Sequence, residues 1–349
     1  MKTCLLPLIA TALLVSVFLG WNVPTQAENK RLNWNHQKIG QTAPSAIATA
    51  IAGRPGSHEI AIVGDDHLVR IKDRATGKRI RVLAGHTDWI KAVVYHPNGK
   101  TLFTAGSDHK ILAWNAEEPA NYYRFAMEDR AITAMALDSR GQSLATVGFN
   151  NQLYLYDVQS HKRVHQLACP STDMRAIAFS PDDQLIAVGG RNGMVRIIQA
   201  EQGTTVCDIQ CHQKRIRDLV FISPNEIVTC SDDQTVRRIK ISSRTSDLLI
   251  RKHAKFFSIA YLGESKIAVG GSDNLVRILD LTARQAEKTE TGCLQGHRGS
   301  ICELVATGHQ LISAGFDTQI RIWEIDPSFI NTKKSERIHL SKRGSKIAK

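Results

Sequence analysis

Ser313, His297 and Asp317 have the side-chain types of a hydrolytic triad. A hydroxyl could attack, an imidazole could take its proton, and a carboxylate could orient the imidazole. Thr104, His86 and Asp108 repeat the set, and Thr229, His212 and Asp233 repeat it again. A reaction centre is needed once, whereas a structural device recurs with the fold. Recurrence therefore argues for structure, and no catalytic residue is expected. Two further histidines, His161 and His165, stand in a basic loop and strand without a carboxylate at ligand spacing. A solvated strand edge explains them better than a metal site. No phosphate-binding loop, dinucleotide fingerprint, nucleophile elbow or zinc-protease motif is present, so neither cofactor nor metal is expected.

The elements that carry these residues are short strands at a fixed period. A small residue, a variable one and then Asp or Asn recur with Asp66, Asp108, Asn150, Asn192, Asp233, Asp273 and Asp317 in the acidic or amide place. The intervals are 42, 42, 42, 41, 40 and 44 residues. Ile90–His96, Thr101–Ala105, Lys110–Trp114 and Tyr122–Phe125 are predicted strands, with Pro97-Asn98-Gly99 and Gly106-Ser107-Asp108 turning the chain between them. The next unit but one repeats the plan with Ala176–Phe179, Leu185–Val188 and Met194–Ile198. Such a period built from strands predicts an all-β, seven-bladed β-propeller of four-stranded antiparallel blades.

At this point the residues resemble the WD-repeat family. Gly85-His86 and Gly296-His297 match its Gly-His pair, and Trp114-Asn115 and Trp323-Glu324 hold its Trp-Asp place. Tyr156-Asp157 and Leu279-Asp280 are degenerate forms, while Lys72-Asp73, Ile198-Gln199 and Ile239-Lys240 depart from it. The resemblance covers about residues 31 to 325. It implies that His86, Thr104, Asp108 and Trp114, and likewise His297, Ser313, Asp317 and Trp323, form structural hydrogen-bond networks. By the same resemblance the fifth repeat keeps His212, Thr229 and Asp233 without the Trp. The sixth keeps His253 and Asp273, and the first, third and fourth lack the His. The resemblance further implies a partner-binding face made by residues just before the turn Asp and by those opening each inner strand. The candidates there are Trp89, Phe149, Arg191, Arg215, Lys255 and Phe316, of types that anchor interfaces.

A propeller closes by pairing a terminal strand into its last blade. Arg31–Ile39 followed by Gly40 resembles the outer strand Lys78–Ala84 followed by Gly85, which places it as the fourth strand of blade 7. Ser335–Leu340 is the competing strand.

Outside the repeats, Lys2, the apolar run Leu5–Leu19 and Thr25-Gln26-Ala27 have the order of a secretory signal peptide cut after Ala27. The apolar run is about 15 residues, short for a membrane span. The expected organisation is a signal peptide over 1–27, a propeller over 28–330 and a basic tail over 331–349. The expected location is secreted or periplasmic, in an exported, bacterial-type protein with no membrane span after cleavage. Six cysteines remain beyond Cys4, and their spacing suits small buried hydrophobes better than a disulfide framework.

The formal net charge is +12, and residues 332–349 carry seven Lys and Arg against one Glu. That tail is expected to be solvated, or to act as an arm for an acidic partner; nucleic acid is not expected. The expected function is a non-catalytic, monomeric scaffold binding another protein on the propeller face. Two alternatives stay open. One is a propeller hydrolase or lactonase with a channel-mouth site, for which only Asp218 and Glu303 could converge. The other is a binder of anionic envelope polymer through the basic surface.

Overall fold

The computed structural model describes residues 36–41, 46–118, 120–283 and 288–325. Among them, 28 strands, numbered β1 to β28 in chain order, form seven four-stranded antiparallel sheets. Blade 2 shows how the sequence builds one. Its strands are β6 (Ile90–Tyr95), β7 (Thr101–Gly106), β8 (Lys110–Asn115) and β9 (Tyr122–Met127). The first three alternate or run apolar and are largely buried, while β9 exposes Tyr122 and Tyr123. Each predicted strand is present, one or two residues longer or shorter at its ends.

The turn between the second and third strands explains the repeated Asp. In blade 2 the Asp108 carboxylate accepts the N–H of Lys110 two residues on, at 3.2 Å. Asp66, Asn150, Asn192, Asp233 and Asp317 make the same bond in their own blades. This local bond is what a short side-chain oxygen offers a turn. The small residue two places earlier is also explained. A Cβ on Gly64 would stand 2.6 Å from the Ile47 carbonyl oxygen, closer than atoms approach.

Neighbouring blades face one another, and seven apolar clusters fill the seven junctions. Between blades 1 and 2, for example, Ala61, Val69 and Ile71 meet Ile90, Leu102 and Trp114. Between blades 7 and 1, Ile312, Ile320 and Ile322 meet Ile51, Ile60 and Ile62. Burying one such Ile or Leu is worth roughly 1.5–3 kcal/mol, so aliphatic side chains carry the ring despite few aromatics.

Strand β1 (His36–Gln41) pairs antiparallel with β28 (Gln319–Glu324), with His36 opposite Trp323 and Gln41 opposite Gln319. The N-terminal strand therefore closes blade 7, as expected, but it extends past Ile39 to Gln41. The expected start at Arg31 lies outside the described residues. So do Ser335–Leu340, the 1–27 segment and the basic tail; β1 already pairs the outer edge of β28. All six cysteines beyond Cys4 are free, and five are buried.

Candidate functional site

The expected His sets are assembled from the loop before the inner strand, which carries the His, the second strand, which carries the hydroxyl, and the turn after it, which carries the Asp. His86 Nδ1 lies 3.0 Å from the Asp108 carboxylate, and its Nε2 lies 2.7 Å from Thr104 Oγ1. Trp114 Nε1 donates to that hydroxyl at 2.8 Å. Because the Asp108 carboxylate can only accept, Nδ1 must donate to it, which leaves Nε2 of the neutral ring to accept the hydroxyl hydrogen. The imidazole proton then sits on Nδ1 and points at Asp108. His297, Asp317, Ser313 and Trp323 repeat this with 3.0, 2.8 and 2.8 Å contacts. Burial alone would raise the Asp108 and Asp317 carboxyls. Hydrogen bonds from the two histidines and from backbone N–H groups hold both below the usual carboxylate range. In blade 5, His212 contacts Asp233, Thr229 and also Thr235.

The blades outside this pattern have their own solutions. In blade 6 the expected pairing of His253 with Asp273 is corrected: His253 is exposed, and Asp273 is gripped by Arg277, with Nη1 at 3.0 Å. Blade 1 does the same with Arg70 and Asp66, at 2.9 Å. An arginine four residues on can reach the turn carboxylate from its own strand and bind both oxygens. Blade 3 does lack the His, but Glu128 fills its place. It accepts hydrogen bonds from Thr146 and, at 3.3 Å, from Tyr156. Burial pushes its carboxyl up to about 7. In blade 4, Asn192 instead donates to the Pro170 carbonyl at 3.0 Å.

The six partner candidates fall on one face. In every blade the residue before the turn Asp or Asn donates its backbone N–H to the carbonyl of a residue opening the inner strand. The pairs are Asp65 with Ile47, Ser107 with Trp89, Phe149 with Ala131, Arg191 with Asp173, Asp232 with Arg215, Ser272 with Lys255, and Phe316 with Ser300, at 2.8–3.3 Å. These pairs ring the strand-opening end of the propeller. Trp89, Phe149 and Phe316 are 48%, 45% and 51% exposed, large values for aromatic side chains.

Inside this ring lies a cavity of about 520 Å³, lined by the inner strands of all seven blades. Lys91, Arg175 and Arg217 line its mouth. Each packs over an aromatic ring, on Trp89, Phe149 and Phe257 respectively, 4.1, 4.6 and 5.4 Å from the centroid. Arg175 and Arg215 share Asp173, each at 2.6 Å, and Arg217 holds Asp232 at 2.8 Å. The three mouth cations escaped the sequence reading. Their signal was present, since each is the second residue of its inner strand: β6, β14 (Met174–Phe179) and β18 (Ile216–Ser223).

Deeper in, Asp218 and Glu303 both line the channel, as expected. Asp218 is occupied by the hydroxyl of Ser258 and the N–H groups of Ile259 and Leu219. Burial nevertheless pushes it up to about 6. Burial, and then the Asp218 charge, push Glu303 well above the usual range. Among the described residues, no three His, Cys, Asp or Glu side chains are grouped to hold a metal ion. None of the helices among them is long and apolar enough to cross a membrane.

Repeat, ring and turn chemistry together define a WD-repeat β-propeller. The family model "WD domain, G-beta repeat" matches residues 77–115 and 288–324. The model "Anaphase-promoting complex subunit 4 WD40 domain" matches residues 168–231. Among curated proteins, the chain is similar to nuclear distribution protein PAC1-1 of Uncinocarpus reesii, 36% identical over 17% of this chain and 13% of that one. It is 36% identical to nuclear distribution protein nudF of Aspergillus terreus over 18% of this chain and 14% of that one. For nuclear distribution protein PAC1 of Arthroderma benhamiae the figures are 35%, 22% and 14%. The matched stretch thus spans about one seventh of these relatives. They overturn the secreted or periplasmic location expected from the first 27 residues: they are fungal nuclear distribution proteins. The segment on which that expectation rested lies outside the described residues.

Proposed function

We propose that this propeller is a non-catalytic scaffold that binds another protein through its strand-opening face. Trp89, Phe149 and Phe316 serve as anchors, and Arg191, Arg215 and Lys255 as polar contacts. The observation that carries this reading is the exposure of three large aromatics on one ring around a cavity. Aromatic and Arg side chains supply most of the binding energy at protein interfaces. The match to the WD-repeat model supports a scaffold role. The relatives' matched stretches are only 44 to 75 residues long, under two repeats, so the partner is not taken from them. The ring closes its own sheet edges and works as a monomer. The basic 331–349 tail is a second contact for an acidic partner, and nucleic acid is not a ligand.

Affinity capture from cells tests this, comparing the intact protein with a Trp89→Ala/Phe316→Ala double variant. Both side chains are exposed, so the fold should survive. A captured protein should be lost from the variant. Unchanged capture would sink the reading, as would a hydrolytic activity that disappears in Asp218→Asn.

A further inference from the structure

The strand-opening face is electrically divided. Over blades 4 to 7 it exposes Arg191, Lys214, Lys255 and Arg298, none of which is in an ion pair with a described residue. The carboxylates of that sector are already engaged. Asp173 and Asp232 hold Arg175, Arg215 and Arg217, while Asp233, Asp273 and Asp317 hold His212, Arg277 and His297. Over blades 1 to 3 the sign reverses: Asp88 and Asp129 are exposed and Asp65 half-buried, against Arg130 and the mouth residue Lys91.

From this division we infer that the blade 4–7 sector docks an Asp- and Glu-rich segment of a partner protein. The inference rests on the scaffold reading above and gives it a partner chemistry and an orientation. Complementary charge speeds encounter and fixes the orientation of docking. A uniform polyanion lying across the face would gain nothing over blades 1 to 3, where Asp65, Asp88 and Asp129 outnumber Lys91 and Arg130. A protein can present its acidic segment to one side only and a neutral or basic one to the other. The cavity mouth sets Phe257 and Phe316 in its wall among the cations, a recess of mixed character. It can take one apolar side chain from within the acidic segment. Burial of that side chain separates a protein ligand from a bare anion.

The test is a fluorescence anisotropy titration of the full chain with a short labelled peptide of Asp, Glu and Phe. A Lys-for-acid version of the peptide and heparin serve as comparators. The acidic peptide should bind at low salt. Arg191→Glu/Lys255→Glu should weaken it by about tenfold or more, since two cations become repulsive. Lys100→Glu makes the same kind of charge change on an exposed turn at the opposite end and should leave binding unchanged. Thermal melts establish that the variants are folded. Equal binding by the double variant would overturn the inference, and so would equal binding of the Lys peptide. Tight heparin binding that the double variant abolishes, with no peptide binding, would assign the sector to a polyanion instead. Should the peptide fail while Trp89→Ala/Phe316→Ala still loses a captured protein, the sector assignment falls and the scaffold reading stands.

Discussion

Glu128 in blade 3 occupies the place that His86 holds in blade 2, and each accepts the hydrogen of its own blade's threonine hydroxyl, Thr146 and Thr104. Both stand 22 residues before the turn residue of their blade. The turn residue changes with them, from Asp108 to Asn150. A glutamate beside a second buried carboxylate would face like-charge repulsion, and the amide avoids it. The exchange keeps the hydroxyl satisfied while moving the ionisable group.

That movement has a pH consequence. The folded protein holds the Glu128 proton up to about 7, against 4.5 for an ordinary glutamate. Between those values the folded state binds more protons than the unfolded chain, so stability falls as pH rises through the window and levels off above it. Glu128→Gln should raise the melting temperature at pH near 8 and leave it nearly unchanged at pH near 4. Asp218, pushed to about 6, contributes a remaining slope in the same direction. Melts across that pH range check this; a Gln variant with the original slope would refute it.

The His networks titrate the other way. Asp108, Asp233 and Asp317 are held below the usual carboxylate range, so their contribution is present at neutral pH and is lost as pH falls through their lowered values. His297→Ala should cost about 1–3 kcal/mol, because Ser313 loses its acceptor and the Asp317 carboxylate one of its donors. Chemical denaturation at neutral pH measures it. No reaction should be lost with it, which a hydrolase substrate panel would show.

The Arg-held turns of blades 1 and 6 make a sharper comparison. Arg277 is buried and grips Asp273 from one strand, so Arg277→Met should leave that carboxylate without its main partner. Asp273 keeps access to water, so the expected loss is about 1–3 kcal/mol. Arg277→Met/Asp273→Asn should recover part of it, because no charge is then left unpaired. A double variant as unstable as the single one would show that packing, not charge, sets the cost.

Much of the molecule was legible in the sequence because turns impose narrow demands. An Asp or Asn with a small residue two places earlier is nearly the only chemistry that suits a carbonyl as close as that of Ile47 to Gly64. The N-terminal closing strand was legible through its likeness to a blade's outer strand. What escaped was substitution by an unlike side chain at a like position. Glu128 does not look like a histidine, and Arg70 and Arg277 reach the turn Asp from the third strand, not from the loop that carries the histidine in other blades. The ring of Lys91, Arg175 and Arg217 was hidden for another reason. A cation on an alternating strand reads as solvent-facing, and only the closed ring turns that face into a channel wall.

Removing β1 tests the closure. Deleting the residues up to Gln41 should lower the melting temperature and promote self-association, since it bares the outer edge of β28. Deleting residues 332–349 should leave the melt unchanged, because β1 already covers that edge. If the second deletion unfolded the protein and the first did not, the closure would be wrongly assigned.

The pairing of β1 with β28 also sets a timetable. His36 and Trp323 are partners across 323 − 36 = 287 residues of chain. A chain emerging from the ribosome presents its first strand at the outset, yet that strand has no mate until nearly all the rest has been translated. Blades 1 to 6 can each gather from local strands and stack as they appear, but the weld between first and last waits. Throughout that interval the early segment must be kept from other chains, so the vulnerable period of this protein is its birth.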